Sequence, residues 1–256
     1  MFTMPSRPAP APRKRPFSGP FRHLGMIALG LAVTAAVAVA QDPPPASPSP
    51  SPAPVLSAGA REAVEKGLAD FRANLLEDAK AEFLKLTQLA PNHPVGWVNL
   101  GSVEFRLNQL DDAAEHLRTA VRLDPTAAPA WLTLGIIRYQ KSDLNGALAA
   151  LSQAVYLEPN NARNHLYLGV AVRKKGWIDA AGDELRKAVE LDEDYAEAHF
   201  NLAILYLELR PPAIELARRH YLRALELGAA RDADLDRALR QSQETSAEHA
   251  DNAEKR

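Results

Sequence analysis

The stretch Trp97–Pro125, WVNLGSVEFRLNQLDDAAEHLRTAVRLDP, returns 34 residues later as Trp131–Pro159, WLTLGIIRYQKSDLNGALAALSQAVYLEP. Both copies begin with tryptophan, carry a Leu-Gly pair three residues later and end with proline. Repetition at a fixed interval of this length is the signature of stacked repeat units, each of which cannot bury its apolar face alone. The sequence therefore predicts a repeat architecture. The same interval relates further small and apolar positions, namely Leu168-Gly169 and Leu202-Ala203, the alanines Ala113, Ala147 and Ala181, and the alanines Ala120, Ala154 and Ala188.

Within each unit the small residues and the prolines have a physical reason. A glycine inside a helix costs up to about 1 kcal/mol, so the recurring Gly101, Gly135 and Gly169 indicate a close crossing of two helices. Pro125 and Pro159 come at the end of their units, where a residue that cannot continue the hydrogen-bond ladder ends a helix. The pattern predicts two packed helices per unit, with small residues at the crossing.

These columns closely resemble the tetratricopeptide repeat family, whose unit is a helix-turn-helix of this length. The resemblance covers about 170 residues and implies an all-α, right-handed superhelical solenoid. About five repeats span residues 60–228, and the first of them is the weakest copy. The last repeat slips by two residues around Pro211 and Pro212, which predicts a longer loop between its helices.

The chain after the repeats divides into two short segments. Residues 229–241 have few apolar positions among acids and arginines, which is typical of a C-terminal capping helix that covers the last repeat. Residues 242–256 show no hydrophobic periodicity, and we expect a disordered tail there.

The front of the chain has a different composition, because 13 of the 20 prolines lie within its first 54 residues. An uncharged, mostly apolar run, Leu24–Ala40, follows a basic cluster and closes with small residues. This pattern predicts a signal peptide over residues 1–40, cleaved before Gln41. The alternative is an uncleaved N-terminal membrane anchor. In either case we expect an exported protein, periplasmic or otherwise extracytoplasmic.

Residues 41–59 contain the run PPPASPSPSPAP, in which seven of twelve residues are proline. Such a segment prefers the extended polyproline II conformation and lacks the apolar side chains needed for a core. The sequence predicts a linker that holds the repeats away from a surface. The alternative is a docking peptide for an aromatic-lined groove.

The composition and the lack of catalytic motifs exclude most classes of enzyme and metal site. The chain has no cysteine, which rules out disulfides, thiolate metal sites and cysteine nucleophiles. The formal net charge is −2, so nothing suggests a nucleic-acid partner. The sequence contains no GxSxG nucleophile elbow of a hydrolase and no HExxH motif of a zinc protease. It also lacks the glycine-rich phosphate-binding motifs GxGxxG and GxxxxGK(S/T). His165 and His199 occupy the tryptophan column, where packing is expected instead of metal ligation. We expect no enzyme activity, no cofactor and no metal.

Function must then come from a surface. The resemblance implies that the first helices of the repeats line a concave groove that binds an extended or helical peptide. The apolar character of this lining favours a hydrophobic ligand segment, although some of the same positions also suit the core between repeats. The predicted groove residues are Val98, Asn99, Phe105, Arg106, Leu132, Ile136, Tyr139, Leu166, Val170, Arg173, Lys174, Phe200, Asn201 and Ile204.

Some members of the family grip a C-terminal carboxylate with lysines, arginines and asparagines. Asn99 and Asn201 match such asparagines, but the equivalent positions of the two intervening repeats are Thr133 and Tyr167. The neighbouring cationic positions hold Val64, Leu68 and Pro129. This departure argues against a carboxylate clamp of that kind, while Arg106, Arg173 and Lys174 remain candidates to orient an acidic end of a ligand.

The sequence as a whole predicts an exported, non-enzymatic adaptor or scaffold that binds a protein or peptide segment in a bacterial cell-envelope assembly. Contact with a membrane is expected only through the N-terminal segment if it stays uncleaved. The alternatives are a self-assembling structural protein, in which the groove receives another copy of the chain, and an accessory subunit of an envelope enzyme.

Overall fold

The computed structural model describes residues 55–241, which fold entirely into helices and turns without a β-strand in that range. The predicted signal peptide, the linker up to residue 54 and the predicted tail lie outside these described residues. The first helix begins at Ala58, two residues before the predicted start of the repeats. The helices are α1 (Ala58–Arg72), α2 (Leu76–Leu89), α3 (Pro94–Arg106), α4 (Leu110–Leu123), α5 (Ala128–Gln140), α6 (Leu144–Leu157), α7 (Ala162–Lys174), α8 (Ile178–Leu191), α9 (Ala196–Glu208) and α10 (Ile214–Glu226).

Consecutive helices pack as five hairpins, and each hairpin packs on the next. Successive odd-numbered helices also pack against each other, α3 on α5, α5 on α7 and α7 on α9, whereas the even-numbered helices do not do so to a comparable extent. The odd-numbered helices therefore lie on the inner side of the curve. The predicted all-α solenoid of helix-turn-helix repeats is confirmed.

The turns inside the first four hairpins share one conformation. The middle residue of each turn has a positive φ: 60° at Asn74, 60° at Asn108, 63° at Ser142 and 85° at Gly176. Asparagine and glycine tolerate this left-handed region better than other residues, because glycine has no Cβ and the asparagine side chain bonds locally. The four residues lie at the repeat interval, so the sequence encodes the same turn each time.

The glycine column places the two helices of a hairpin in direct contact. A Cβ added to Gly101, Gly135 or Gly169 would lie 2.6, 2.5 or 2.8 Å from the Cγ atom of a leucine on the paired helix. These leucines, of which Leu117 and Leu151 are examples, are at most 1% exposed. The predicted close crossing is confirmed, since no real side chain tolerates such distances.

The tryptophan column ties each odd-numbered helix to the end of the preceding hairpin. The indole N–H of Trp97 donates to the carbonyl of Pro91 at 2.8 Å, and that of Trp131 donates to Pro125 at 2.9 Å. In the next repeat, His165 Nε2 lies 2.8 Å from the carbonyl of Pro159. Histidine can replace tryptophan in this column because its ring also presents an N–H at that place.

The last hairpin differs as the register slip predicts. Its loop spans residues 209–213, two more than the equivalent loop at residues 107–109. The amide of Ala213 donates to the carbonyl of Tyr206 at 2.9 Å, which fixes the start of α10.

A helical segment at residues 233–241 covers the end of the array. Leu235 and Leu239 bury their side chains against the last hairpin, at 6% and 7% exposure. Asp232 precedes the segment and accepts a hydrogen bond from the amide of Leu235 at 2.8 Å, which caps its N-terminus. The predicted capping helix is confirmed, but it begins at residue 233 and not at residue 229. Among the described helices, none is long and apolar enough to cross a bilayer.

Candidate peptide-binding groove

The inner face of the solenoid carries the predicted groove residues, but these residues differ in how much of their surface is exposed. Leu132 and Ile136 are 6% exposed and Leu166 is 4% exposed, and all three belong to the core between repeats. Their position in the core follows from the packing of successive odd-numbered helices against each other. An Ile136→Asp substitution would place a charge in this core and unfold the repeat instead of probing a surface. The remaining residues keep accessible surface: Val98, Asn99, Phe105, Tyr139, Val170, Arg173, Phe200, Asn201 and Ile204 are half-buried, and Arg106 and Lys174 are exposed.

One cavity of about 400 Å³ opens on the inner face over the first repeats, and we call it the N-terminal cleft. Five predicted residues meet in it, including Leu132 at the edge of the core. Its walls come from α1, α2, α3, α5 and the start of α7. The lining residues are Leu68, Phe71, Phe83, Val98, Asn99, Ser102, Phe105, Arg106, Pro129, Leu132, Thr133 and Arg163.

Most small polar side chains of this cleft are already bonded to their own helices. The Asn99 amide donates to the carbonyl of Val95 at 2.9 Å, and the Ser102 hydroxyl donates to that of Val98 at 2.7 Å. Asn201, in the last repeat, donates in the same way to the carbonyl of Glu197 at 2.8 Å. Each of the two predicted asparagines keeps its carbonyl oxygen and its second N–H for a ligand, because this bond uses only one of the two N–H donors.

Two arginines border the N-terminal cleft. The Arg106 guanidinium lies over the ring of Phe71, 4.7 Å from its centroid, and donates to Asn74 Oδ1 at 2.7 Å. The Arg163 guanidinium lies 5.6 Å from the ring centroid of Tyr167. In the described part of the chain, neither arginine forms an ion pair with a carboxylate. Both keep N–H donors that are not committed to an acid.

Arg173, also predicted to orient a ligand, is already paired. Its guanidinium donates to Glu208 Oε1 at 2.7 Å, across the interface between the last two repeats. An incoming carboxylate would have to compete with this pair. Lys174, the next residue, remains exposed.

The C-terminal end of the inner face has the opposite character. A cavity of about 630 Å³ there is lined by Phe200 and Asn201 together with Asp192, Asp194 and Glu197. Burial raises the pKa of the neighbouring Tyr195 hydroxyl to about 12, so the phenol stays neutral and the negative charge comes from the carboxylates. The fourteen predicted residues thus do not form one uniform groove.

Seven of the twelve residues of the N-terminal cleft are not among the predicted ones, and two of these, Phe71 and Arg163, bear on ligand binding. Phe71 precedes Phe105 by the repeat interval, as Phe105 precedes Tyr139, so the aromatic column could have revealed it. Arg163 lies in the first turn of α7, a helix whose buried residues belong to the core, and no column of arginines marks its position.

The histidines of the tryptophan column are packed against partners on the paired helix. His165 Nδ1 lies 2.7 Å from Glu184 Oε2, and His199 Nδ1 lies 2.9 Å from His220 Nδ1. His165 and His199 are each 7% exposed. Within residues 55–241 no three potential metal ligands come together.

The His199–His220 contact predicts a pH dependence of stability. Burial, aided by His199 and Arg219, lowers the pKa of His220 to about 4 from its usual value near 6.5. The unfolded chain therefore binds this proton more readily, so stability is complete above about pH 6.5 and falls as the pH drops toward 4. We expect the thermal unfolding midpoint, followed by circular dichroism, to decrease between about pH 7 and about pH 5.

The matched variant is His220→Gln, which retains an N–H donor for His199 but does not titrate. Its midpoint should fall less over the same pH range than that of the wild type. Equal decreases in both proteins would show that other groups cause the effect.

Models of known protein families match the part of the chain that carries the repeats. Models of the tetratricopeptide repeat match residues 64–128 and 104–168, and a TPR repeat model matches residues 171–209. No curated protein sequence shows significant similarity to the chain.

Several solved structures share the fold. PilF of Pseudomonas aeruginosa is 20% identical, with 75% of this chain and 88% of that chain covered and a TM-score of 0.64. MamA of Desulfovibrio magneticus RS-1 is 20% identical, covering 70% and 100% with a TM-score of 0.59. YrrB, described as a TPR protein with an unusual peptide-binding site, is 20% identical, covering 73% and 98% with a TM-score of 0.55. At these identities the likeness concerns the fold.

Proposed function

The chain is a tetratricopeptide repeat protein, and we propose that it is an exported adaptor that binds a protein or peptide segment on the inner face of its solenoid. In this role it supplies recognition and no catalysis. The binding surface exists before the partner arrives, so little of the binding free energy is lost in ordering the protein.

The N-terminal cleft is the observation that carries this proposal. Val98 and Phe105 present half-buried apolar side chains at a concave surface, where a partner side chain can be taken out of water. Its volume lies within the range of about 300–1,000 Å³ that is usual for ligand sites. The peptide-binding site of YrrB, a protein of the same fold, supports the same use of the fold here.

The N-terminal sequence supports the exported part of the proposal. Leu24–Ala40 combines an apolar run with preceding basic residues and a small-residue cleavage pattern. A proline-rich spacer after it would hold the repeats at a distance from a membrane or envelope surface. These features support our proposal that the adaptor works in the cell envelope.

The test is partner capture with a variant of the N-terminal cleft. We expect the wild-type protein to retain a specific partner from an envelope extract of the source cells, and the double variant Val98→Gln, Phe105→Ala to lose it. Both side chains are half-buried, so the variant should keep its helical circular dichroism signal.

The matched control is Tyr156→Ala, which removes an aromatic ring that is 78% exposed on α6 and outside the cleft. It should capture the partner like the wild type. Retention of the partner by the double variant would place binding elsewhere, and recovery of the chain alone would favour self-assembly. Sequencing the N-terminus of the recovered protein tests export: a start at Gln41 supports cleavage, and a start at Met1 supports the anchor.

A further inference from the structure

We infer that the N-terminal cleft recognises an acidic, apolar segment, in which a large apolar side chain is flanked by Asp or Glu. This inference rests on the proposed function and names the chemistry of its partner. Three features of the described residues carry it: an apolar floor, two uncompensated arginines at the rim, and a carboxylate-rich cavity at the opposite end of the same face.

The floor of the cleft accepts an apolar side chain. It is built from Leu68 and Phe71 of the first repeat, Val98 and Phe105 of the second, and the edge of Leu132 from the third. Covering such a surface with a partner side chain contributes about 25 cal/mol for each Å² of apolar area removed from water. A large apolar residue of the ligand is therefore expected to supply the affinity.

The rim of the cleft is positively charged. None of its twelve lining residues is acidic, while Arg106 and Arg163 both border it. Some other arginines of the described residues have carboxylate partners, as in Arg173 with Glu208 at 2.7 Å and Arg223 with Asp194 at 2.6 Å. Within the described residues Arg106 and Arg163 have no such partner. A carboxylate of a ligand could therefore form an ion pair with each of them.

The geometry of Arg106 prepares it for this contact. Its guanidinium rests on the face of Phe71, and one N–H is held by the neutral oxygen of Asn74. Stacking and a fixed hydrogen bond restrict the side chain before a ligand binds, so less rotamer entropy is lost on binding. A guanidinium fork in this position suits the planar carboxylate of Asp or Glu.

Charge along the inner face favours one end for such a ligand. In the far cavity Asp194 is paired with Arg223, but Asp192 and Glu197 have no cationic partner among the described residues and repel an acidic segment. The arginines attract the same segment to the N-terminal cleft. Complementary potentials of this kind select partners and orient them as much as they add affinity.

The test uses the purified full-length protein and short, fluorescently labelled synthetic peptides of a Gly-Ser background. One peptide carries a central Phe flanked by Glu, a second carries Phe flanked by Lys, and a third carries Ala flanked by Glu. We expect the Glu-flanked Phe peptide to bind at least about tenfold more tightly than either of the others in fluorescence anisotropy titrations.

A charge reversal makes the inference specific. In the double variant Arg106→Glu, Arg163→Glu the preference should reverse, so that the Lys-flanked peptide binds more tightly than the Glu-flanked one. The matched control Arg122→Glu reverses an exposed arginine on α4, outside the cleft, and should keep the wild-type preference. If the double reversal fails to fold, the milder pair Arg106→Gln, Arg163→Gln should abolish the preference without reversing it.

The outcomes separate this inference from the proposed function. Equal binding of the Glu-flanked and Lys-flanked Phe peptides would overturn the charge selection, while a partner captured through Val98 and Phe105 would still support the adaptor. Absence of binding by the Glu-flanked Phe peptide overturns the inference in the same way. If the wild-type protein neither binds a peptide nor captures a partner, the adaptor proposal is wrong as well.

Discussion

Replacing His116 with leucine should lower the free energy of unfolding by about 3 kcal/mol, because it leaves a buried carboxylate without its closest partner. The Glu104 side chain is only 2% exposed, and its Oε2 lies 2.7 Å from His116 Nδ1. Lys80 Nζ stays 3.7 Å from the other carboxylate oxygen, which keeps the loss at the lower end of the usual range. Urea unfolding followed by circular dichroism measures the change.

The matched control removes the carboxylate and the imidazole together, while Lys80 is 26% exposed and keeps its hydrogen bond to Gln109. The double variant Glu104→Leu, His116→Leu replaces the pair by apolar side chains of similar size, and leucine preserves packing near the Trp97 ring, now 5.5 Å from His116. We expect its stability to lie within about 1 kcal/mol of the wild type, because a buried pair is often no better than an apolar one. A double variant as unstable as His116→Leu would mean that the loss comes from packing and not from the unpaired charge.

Gly135→Ala should also destabilise the protein, by about 1–3 kcal/mol, although alanine is the better helix former. The added Cβ would lie 2.5 Å from Leu151 Cγ and 3.2 Å from the Leu151 backbone nitrogen. A new rotamer of Leu151 cannot relieve the contact with the backbone, so α5 and α6 must move apart. The same unfolding experiment measures the effect.

Gly59→Ala is the matched control, since a Cβ at Gly59 of α1 meets its nearest neighbour, Leu89, at 3.8 Å. We expect this substitution to leave stability unchanged or to raise it by up to about 1 kcal/mol. Combining Gly135→Ala with Leu151→Ala should cost less than the sum of the two changes, because the smaller side chain makes room. Stabilisation by Gly135→Ala would contradict the close crossing of the two helices.

The repeat columns made the fold predictable from the sequence. Gly135 and Leu151 lie 16 residues apart, as Gly101 and Leu117 do, so one packing contact is encoded several times. When several copies show the same pattern, an unclear position in one copy can be interpreted from the others. Even the altered loop at Pro211 could be located, because the repeat register shifts there by two residues. Each repeat confirms the interpretation of the others.

The boundary between groove and core could not be read in the same way. Val98 and Leu132 occupy the same column, yet Val98 is half-buried and Leu132 is 6% exposed. Both positions are apolar and both face the inner side of a helix. Their exposure depends on how closely the next repeat packs on them, which is a tertiary property that a spacing pattern does not contain.

The partners of the column histidines were partly available from the sequence. His165 and Glu184 are 19 residues apart, as Trp97 and His116 are, so the repeat interval already pairs these positions. His199 and His220 are 21 residues apart because the two-residue slip lies between them. What the sequence lacked was the orientation of the rings, which the carbonyl groups of Pro159 and Glu193 fix through the Nε2 atoms.

Because every hairpin packs only on its sequence neighbours, contacts in this molecule are local along the chain. Folding then requires no closure of a long loop, and the associated entropy cost that slows many β-sheet proteins is absent. A folded hairpin offers a template on either side, so structure can start at any repeat and spread in both directions. The terminal segment at residues 233–241 stops this spread at one end, and the repeats that border the N-terminal cleft lie at the other.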